Sequence, residues 1–140
     1  MQNPLDRWLP LKDLRVTSEG RWESSVQLGP SSEWFSGHFD EYPLVPGVAL
    51  LALAAETVRT QGREQGRPLE VSGFSGVRFR RLVFPGEELV ISVSAMPPGS
   101  EAKIDFLVTC HGHTVVHGEL EATEELGSSP RPTPGSFPVR

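Results

Sequence analysis

The feature that most constrains the fold is a run of eight apolar residues, from Val48 to Ala55, that follows two prolines and a glycine. Pro43 and Pro46 fix φ and remove backbone donors, so a shaped loop leads into residues of mostly high helix propensity. A helix that is apolar on every face is predicted to be surrounded by protein. The run is too short to span a bilayer, so the rest of the chain or a partner has to cover it. We predict a helix over residues 47–63.

Segments on both sides of this helix have the alternation of β-strands. The predicted strands are residues 11–16, 21–28, 69–82, 87–96, 102–110 and 114–122, separated by Gly- and Pro-containing turns and by a hairpin tip at 111–113. One long buried helix combined with a run of antiparallel strands indicates an α+β domain in which a curved sheet wraps the helix.

Length and composition indicate one domain and a tail. The 140 residues suit a single core that buries about two-thirds of its unfolded surface. After Leu126 the sequence becomes rich in Pro, Gly and Ser. We therefore assign residues 1–126 to the domain and 127–140 to a tail without regular structure.

Charge and cysteine content exclude several classes of function. The net charge of −5 argues against nucleic acid as a partner. A single cysteine, Cys110, excludes an intrachain disulfide and fits a reducing compartment. The chain starts without a signal-peptide pattern and holds no transmembrane window, so we expect a cytoplasmic protein that does not associate with membranes. It lacks a phosphate-binding glycine loop and a dinucleotide fingerprint, and no cofactor is predicted.

One cysteine and three histidines between residues 110 and 117 could be ligands of a metal ion. They are Cys110, His111, His113 and His117. Alternation places Cys110 with the core-facing residues of its strand and His111 on the opposite face. Without a closely spaced Cys pair or a His-Glu motif, the sequence predicts no metal.

Two blocks of sequence resemble one known family. The first is Gly37-His38-Phe39 followed by Pro43 and by Pro46-Gly47-Val48, and the second is the run from Gly76 to Leu89, GVRFRRLVFPGEEL. Both are similar to consecutive signatures of the β-hydroxyacyl-(acyl carrier protein) dehydratases, and the similarity covers residues 8–123. The resemblance implies a hotdog fold, and a homodimer or dimer of dimers with active sites at the dimer interface. It also implies acyl chains linked through phosphopantetheine to acyl carrier protein in fatty-acid or related lipid or polyketide synthesis.

Dehydration of a 3-hydroxyacyl thioester needs a base, an acid and donors for the thioester oxygen. The resemblance assigns the base to His38 and the oxygen donors to the helix start at Gly47 and Val48, where the helix dipole is positive. The resemblance also places Phe39 beside the substrate. Alternatively, His38 is a structural loop histidine that is hydrogen-bonded to backbone carbonyls.

The family's acid has no counterpart at its expected position. That position, counted along the helix, is Ala52. Glu56 lies four residues later on the same helical face, about one turn or ~6 Å further along. Either Glu56 replaces the acid, or it is a structural residue paired with Arg59 or Arg63. The acidic pair Asp40-Glu41 is a second difference from the family's pattern. These two residues are either solvated loop acids, or one of them interacts with His38.

Three arginines follow in the second block. The resemblance makes Arg80 or Arg81 a contact for the carrier protein, whereas an ordinary charged edge strand would also contain such residues. Alternation predicts Arg78 and Arg80 on one face of the strand and Arg81 on the other. Three functions stay open on this evidence: a dehydratase, a thioesterase that uses Glu56 to activate water, and a non-catalytic subunit that binds acyl chains or carrier protein.

Overall fold

The computed structural model describes residues 10–29, 44–95 and 101–124. They form one helix and six strands: β1 (Lys12–Val16), β2 (Trp22–Gln27), α1 (Gly47–Glu64), β3 (Leu69–Phe79), β4 (Glu88–Val93), β5 (Glu101–Cys110) and β6 (His113–Glu124). The helix and the order of the strands confirm the sequence prediction. In this part of the chain, no helix has the length and hydropathy needed to cross a bilayer.

The strands form one antiparallel sheet that packs against α1. Their order is β1-β2-β4-β5-β6-β3, so the connection through α1 carries the chain from one side of the sheet to the far edge. Helix α1 contacts β3 and β4 most, and β2 and β5 less. The core between α1 and the sheet is apolar. Its largest fully buried side chains include Phe106, Leu53, Leu89, Ile91, Ile104 and Leu120.

A buried polar contact fixes α1 against the sheet. The hydroxyls of Ser24 on β2 and Thr57 on α1 lie 2.9 Å apart, and Thr57 also donates to the Leu53 carbonyl at 2.9 Å. Both side chains are almost fully buried, and the Thr57 hydroxyl is bonded on both sides. The hydrogen bonds remove most of the cost of burying these hydroxyls and set the position of the helix along β2.

Strand β3 ends earlier than the sequence predicts. The predicted strand runs to residue 82, but β3 ends at Phe79 and the chain leaves the sheet before the turn at Pro85-Gly86. The register with β6 also shifts between Ser75 and Arg78, where Gly76 has a φ of 61°. Simple two-residue periodicity holds only in a regular strand, so the alternation of the three arginines beyond this bulge stays a prediction.

The start of α1 is only partly covered by the described part of the chain. Leu53, Ala54 and Ala55 are buried, but Val48 is 63% exposed and Leu51 is half-buried. Within the described part of a single chain, one stripe of the apolar helix therefore remains accessible to a partner. The sequence left the covering of the helix to the rest of the chain or to a partner, and for this stripe it stays a prediction.

Candidate functional site

The structure describes the residues that flank the site predicted around His38. His38 and Phe39 lie outside the described residues, in the gap between 29 and 44. On one side of the gap, the Gly86 N–H donates to the Leu28 carbonyl at 2.8 Å. On the other side, the Val45 N–H donates to the Val83 carbonyl, also at 2.8 Å. Residues 83–86 thus hold both flanks of this segment, directly before α1 begins.

Helix α1 begins with backbone donors that no described side chain caps. Pro46 precedes it in an extended conformation, and its first turn contains no acidic residue. A helix start of this kind presents unpaired N–H groups and the positive end of the dipole. At Gly47, an added Cβ would lie 3.0 Å from the Phe79 ring, so glycine allows that ring to pack against the helix start. Gly47 and Val48 therefore occupy the place predicted for oxygen donors.

Glu56 is buried and held by two arginines. Its side chain is 6% exposed, with one carboxylate oxygen 3.4 Å from the Arg59 guanidinium and the other 3.0 Å from Arg63. Ala52, one turn nearer the start of the helix, is half-buried and offers no titratable group. The ion pairs match the structural alternative for Glu56. They also show what a catalytic role would require, because the carboxylate would have to leave both arginines.

Arg80 and Arg81 point to different neighbours. The Arg80 Nε donates to His117 Nε2 at 3.3 Å, which attaches this exposed side chain to β6. Arg81 is close enough to Cys110 for its positive charge to act on the thiol. Both residues follow the end of β3 and are exposed, as a contact with an acidic partner requires.

The structure brings together three side chains that the sequence analysis did not group. Potential ligand atoms of Glu87, Cys110 and His111 all lie within 4.8 Å of one another. The prediction that His111 lies on the face opposite Cys110 is wrong because His111 is in the hairpin turn, with a φ of 52°. Burial raises the pKa of the Cys110 thiol, Glu87 adds to this by charge and hydrogen bonding, and Arg81 opposes it. Sequence reasoning missed Glu87, and only the pairing of the two turns reveals it.

A groove of about 400 Å³ lies elsewhere on the sheet. It is lined by Ser72, Glu101, Ala102, Lys103, Glu121, Ala122 and Thr123. Ser72 is seven residues before Phe79, so the groove lies roughly 20 Å along β3 from the helix start. None of the predicted site residues within the described ranges lines it, and the geometry around α1 is the stronger indication of function.

A family match covers most of the chain. The ApeI-like family, described as ApeI dehydratase, matches residues 15–119. A relative from Listeria welshimeri, a 3-hydroxyacyl-[acyl-carrier-protein] dehydratase FabZ, is 32% identical over 108 residues, which cover 73% of this chain and 75% of the relative.

Solved structures share the fold. A dehydratase heterocomplex, ApeI:P from Xenorhabdus doucetiae, contains a chain with a TM-score of 0.63 and 20% identity, covering 81% of this chain and 96% of the other. A hypothetical thioesterase with coenzyme A from Streptococcus pneumoniae has a TM-score of 0.63 and 11% identity, covering 80% of this chain and 86% of the other. At these identities the likeness concerns the fold alone, and it confirms the predicted α+β hotdog architecture.

Proposed function

The chain belongs to the ApeI-like family of dehydratases, and we propose that it removes water from 3-hydroxyacyl thioesters. It is a dehydratase-like hotdog protein. The proposed substrates are acyl chains linked through phosphopantetheine to acyl carrier protein, in fatty-acid or related lipid or polyketide synthesis. One observation carries the proposal: both flanks of the segment containing His38 are bonded to residues 83–86, beside the uncapped start of α1.

The proposed chemistry begins at His38. Its imidazole removes the α-proton, which is weakly acidic because the neighbouring thioester carbonyl takes up the negative charge. Backbone N–H groups of Gly47 and Val48 stabilise the oxygen on which this charge develops. Phe39 contacts the substrate next to the base. The electron pair left at the α-carbon then forms the carbon–carbon double bond as the carbon–oxygen bond at the β-carbon breaks, and the departing hydroxyl takes up a proton and leaves as water.

Glu56 is the candidate for that final proton transfer, because it is the carboxylate on the helical face of Ala52. Its ion pairs with Arg59 and Arg63 favour a structural role instead. A catalytic group has to lie within about half an ångström of its productive position, and one helical turn is about 5.4 Å. Glu56 therefore acts as the acid only if the assembled protein releases it from the arginines and moves it toward the substrate.

The proposed assembly is a homodimer or a dimer of dimers. Strand β3 lies at the edge of the sheet and pairs only with β6 among the described strands. An edge strand of 11 residues is a natural surface for pairing with a second copy. Exposed Arg80 and Arg81 are the proposed contacts for the acidic carrier protein. We propose a cytoplasmic location.

The test is the conversion of a 3-hydroxyacyl carrier substrate to the enoyl product by the full chain. We expect His38→Ala to lower the rate by about a hundred- to ten-thousand-fold, since it removes a positioned base. His113→Ala, which removes an exposed histidine on β6, is the control and should leave the rate unchanged. Equal enoyl yields from the parent and His38→Ala would contradict the proposal.

A second candidate function is a subunit that binds the acyl carrier without turnover. The observation that favours it is the combination of Ala52 with a Glu56 carboxylate already engaged by two arginines. Saturable carrier binding without enoyl product or free thiol would support it. The thioesterase alternative gives a different result: thiol release that is lost in Glu56→Gln and retained in His38→Ala.

A further inference from the structure

We propose that Glu87, Cys110 and His111 form a binding site for a zinc-type divalent cation, separate from the dehydratase chemistry. The three side chains lie at the same end of the sheet: Glu87 directly before β4, Cys110 as the last residue of β5, and His111 in the turn that follows. Their ligand atoms lie within 4.8 Å of one another. A tetrahedral Zn²⁺ holds such atoms about 3.5 Å apart, so side-chain rotations that close the cluster by ~1 Å would complete the site.

The donor set selects the class of metal. A thiolate, an imidazole and a carboxylate are ligands of Zn²⁺ and of similar borderline-soft ions, whereas Mg²⁺ and Ca²⁺ prefer oxygen alone. A thiolate and a carboxylate together balance the charge of a divalent ion. Three protein ligands leave a fourth position, and the exposed His111 places this position toward solvent. Water is therefore the fourth ligand.

Local structure holds each ligand in place. The β5–β6 hairpin pairs Cys110 with His113, which leaves His111 and Gly112 as a two-residue turn with φ values of 52° and 81°. This turn brings the imidazole back toward the strand that carries Cys110. One carboxylate oxygen of Glu87 accepts a hydrogen bond from the Phe84 N–H at 2.9 Å, which orients the group. The carboxylate also hydrogen-bonds the Cys110 thiol, and a shared metal would replace that bond.

A negative charge on Glu87 and a positive charge on Arg81 both act on the Cys110 thiol. Burial and the Glu87 carboxylate raise the pKa of the Cys110 thiol, and the positive charge of Arg81 opposes this rise. The same charge opposes the approach of a cation. Glu87 offsets it, and a bound metal would displace the thiol proton to solvent. The metal would join the turn at residues 85–87 to the hairpin at 111–112.

Cobalt(II) tests the site, because its absorption spectrum reports both thiolate ligation and tetrahedral geometry. The reduced, tag-free full chain is freed of metal and titrated with Co²⁺. We expect a thiolate-to-cobalt charge-transfer band that saturates at one equivalent and disappears when Zn²⁺ is added. Without such a band in the parent, or with a band that Zn²⁺ does not displace, the proposal is wrong.

The variants separate a built site from adventitious thiol binding. His111→Asn is the decisive one, because Asn-Gly is the favoured pair for this type of turn, so the hairpin is kept while the imidazole is lost. We expect His111→Asn and Glu87→Gln each to weaken Co²⁺ binding by about a hundred-fold or more, and Cys110→Ser to remove the charge-transfer band. His113→Asn, which changes a neighbouring exposed histidine, should bind like the parent. Parent-like affinity in His111→Asn would overturn the proposal even if Cys110→Ser failed to fold.

Discussion

At the scale of single residues, the chemistry depends on one helical face that carries Ala52 and Glu56. Ala52 has no titratable group, whereas the carboxylate one turn later is paired with Arg59 and Arg63. A carboxylate that is buried and bonded to two guanidinium groups is well satisfied where it lies. The dehydratase proposal therefore assigns the base to His38 and the oxygen donors to the start of α1, and the acid is the role without a titratable residue at the family's position.

Restoring an acid at the family position should increase activity. We expect Ala52→Glu to raise the dehydration rate by about a hundred-fold or more, the effect of a positioned general acid. Ala52 is half-buried and glutamate is a good helix former, so the fold should tolerate the change. The measurement is enoyl formation under single-turnover conditions.

Ala52→Gln is the matched control, because it adds the same length without a titratable proton. If the glutamine variant gains as much as the glutamate variant, the effect is steric and the proposed absence of an acid is wrong. If neither gains and carrier binding persists, the binding-subunit function is the better account.

At the scale of elements, the end of α1 depends on the close packing that Gly62 allows. The predicted helix ends at residue 63 and α1 ends at Glu64, so Gly62 lies inside its last turn. The helix ends in a Schellman motif, in which the Arg67 N–H donates to the Gly62 carbonyl at 2.7 Å and Gly66 has a φ of 71°. Gly62 is needed for close approach, since an added Cβ would collide with the Arg67 carbonyl and lie 2.8 Å from Leu69 Cγ.

Gly62→Ala should therefore destabilise the protein although alanine is the better helix former. We expect the free energy of unfolding to fall by about 1–3 kcal/mol, the usual effect of overpacking, after the propensity gain is included. Gly29→Ala is the control, because a Cβ there meets no atom within 4 Å. Urea denaturation of both variants gives the comparison, and equal stabilities of Gly62→Ala and the parent would contradict this account of the helix end.

The sequence predicted the elements well and the ends of elements less well. A continuous apolar run located α1, and alternation located the strands along the chain, because both patterns follow from which residues are buried. Periodicity could not show that β3 ends at Phe79, because the bulge after Ser75 depends on pairing with β6. The cluster at Cys110 was missed for the same reason: Glu87 and His111 lie in separate turns, and only the sheet brings them together. The resemblance assigned roles to His38 and Phe39, and these roles stay predictions because both residues lie outside the described part.

At the scale of the whole molecule, the two edges of the sheet differ. One edge is β1, which has five residues and a register shift with β2. The other edge is β3, which is longer and lies beside the exposed start of α1. The apolar residues around it, Phe79 at 52% exposed and Val48 at 63%, extend the accessible surface from the strand to the helix. A second copy that covers β3 would also cover this helix stripe, which is the enclosure that the apolar run demands.

A charge in the β3 and α1 surface should therefore prevent dimerisation, whereas the same charge near β1 should not. We expect Val48→Asp to weaken the dimer by at least about tenfold, because burying an unpaired carboxylate costs more than 1.4 kcal/mol. The monomer should remain folded, since Val48 is exposed and an acidic residue in the first turn interacts favourably with the helix dipole. Val16→Asp is the matched control, with the same substitution at a residue 52% exposed on the opposite edge. Sedimentation equilibrium of both variants and the parent measures the dissociation constants. Equal effects of the two substitutions, or a parent that is monomeric, would show that the second copy does not bind at this edge.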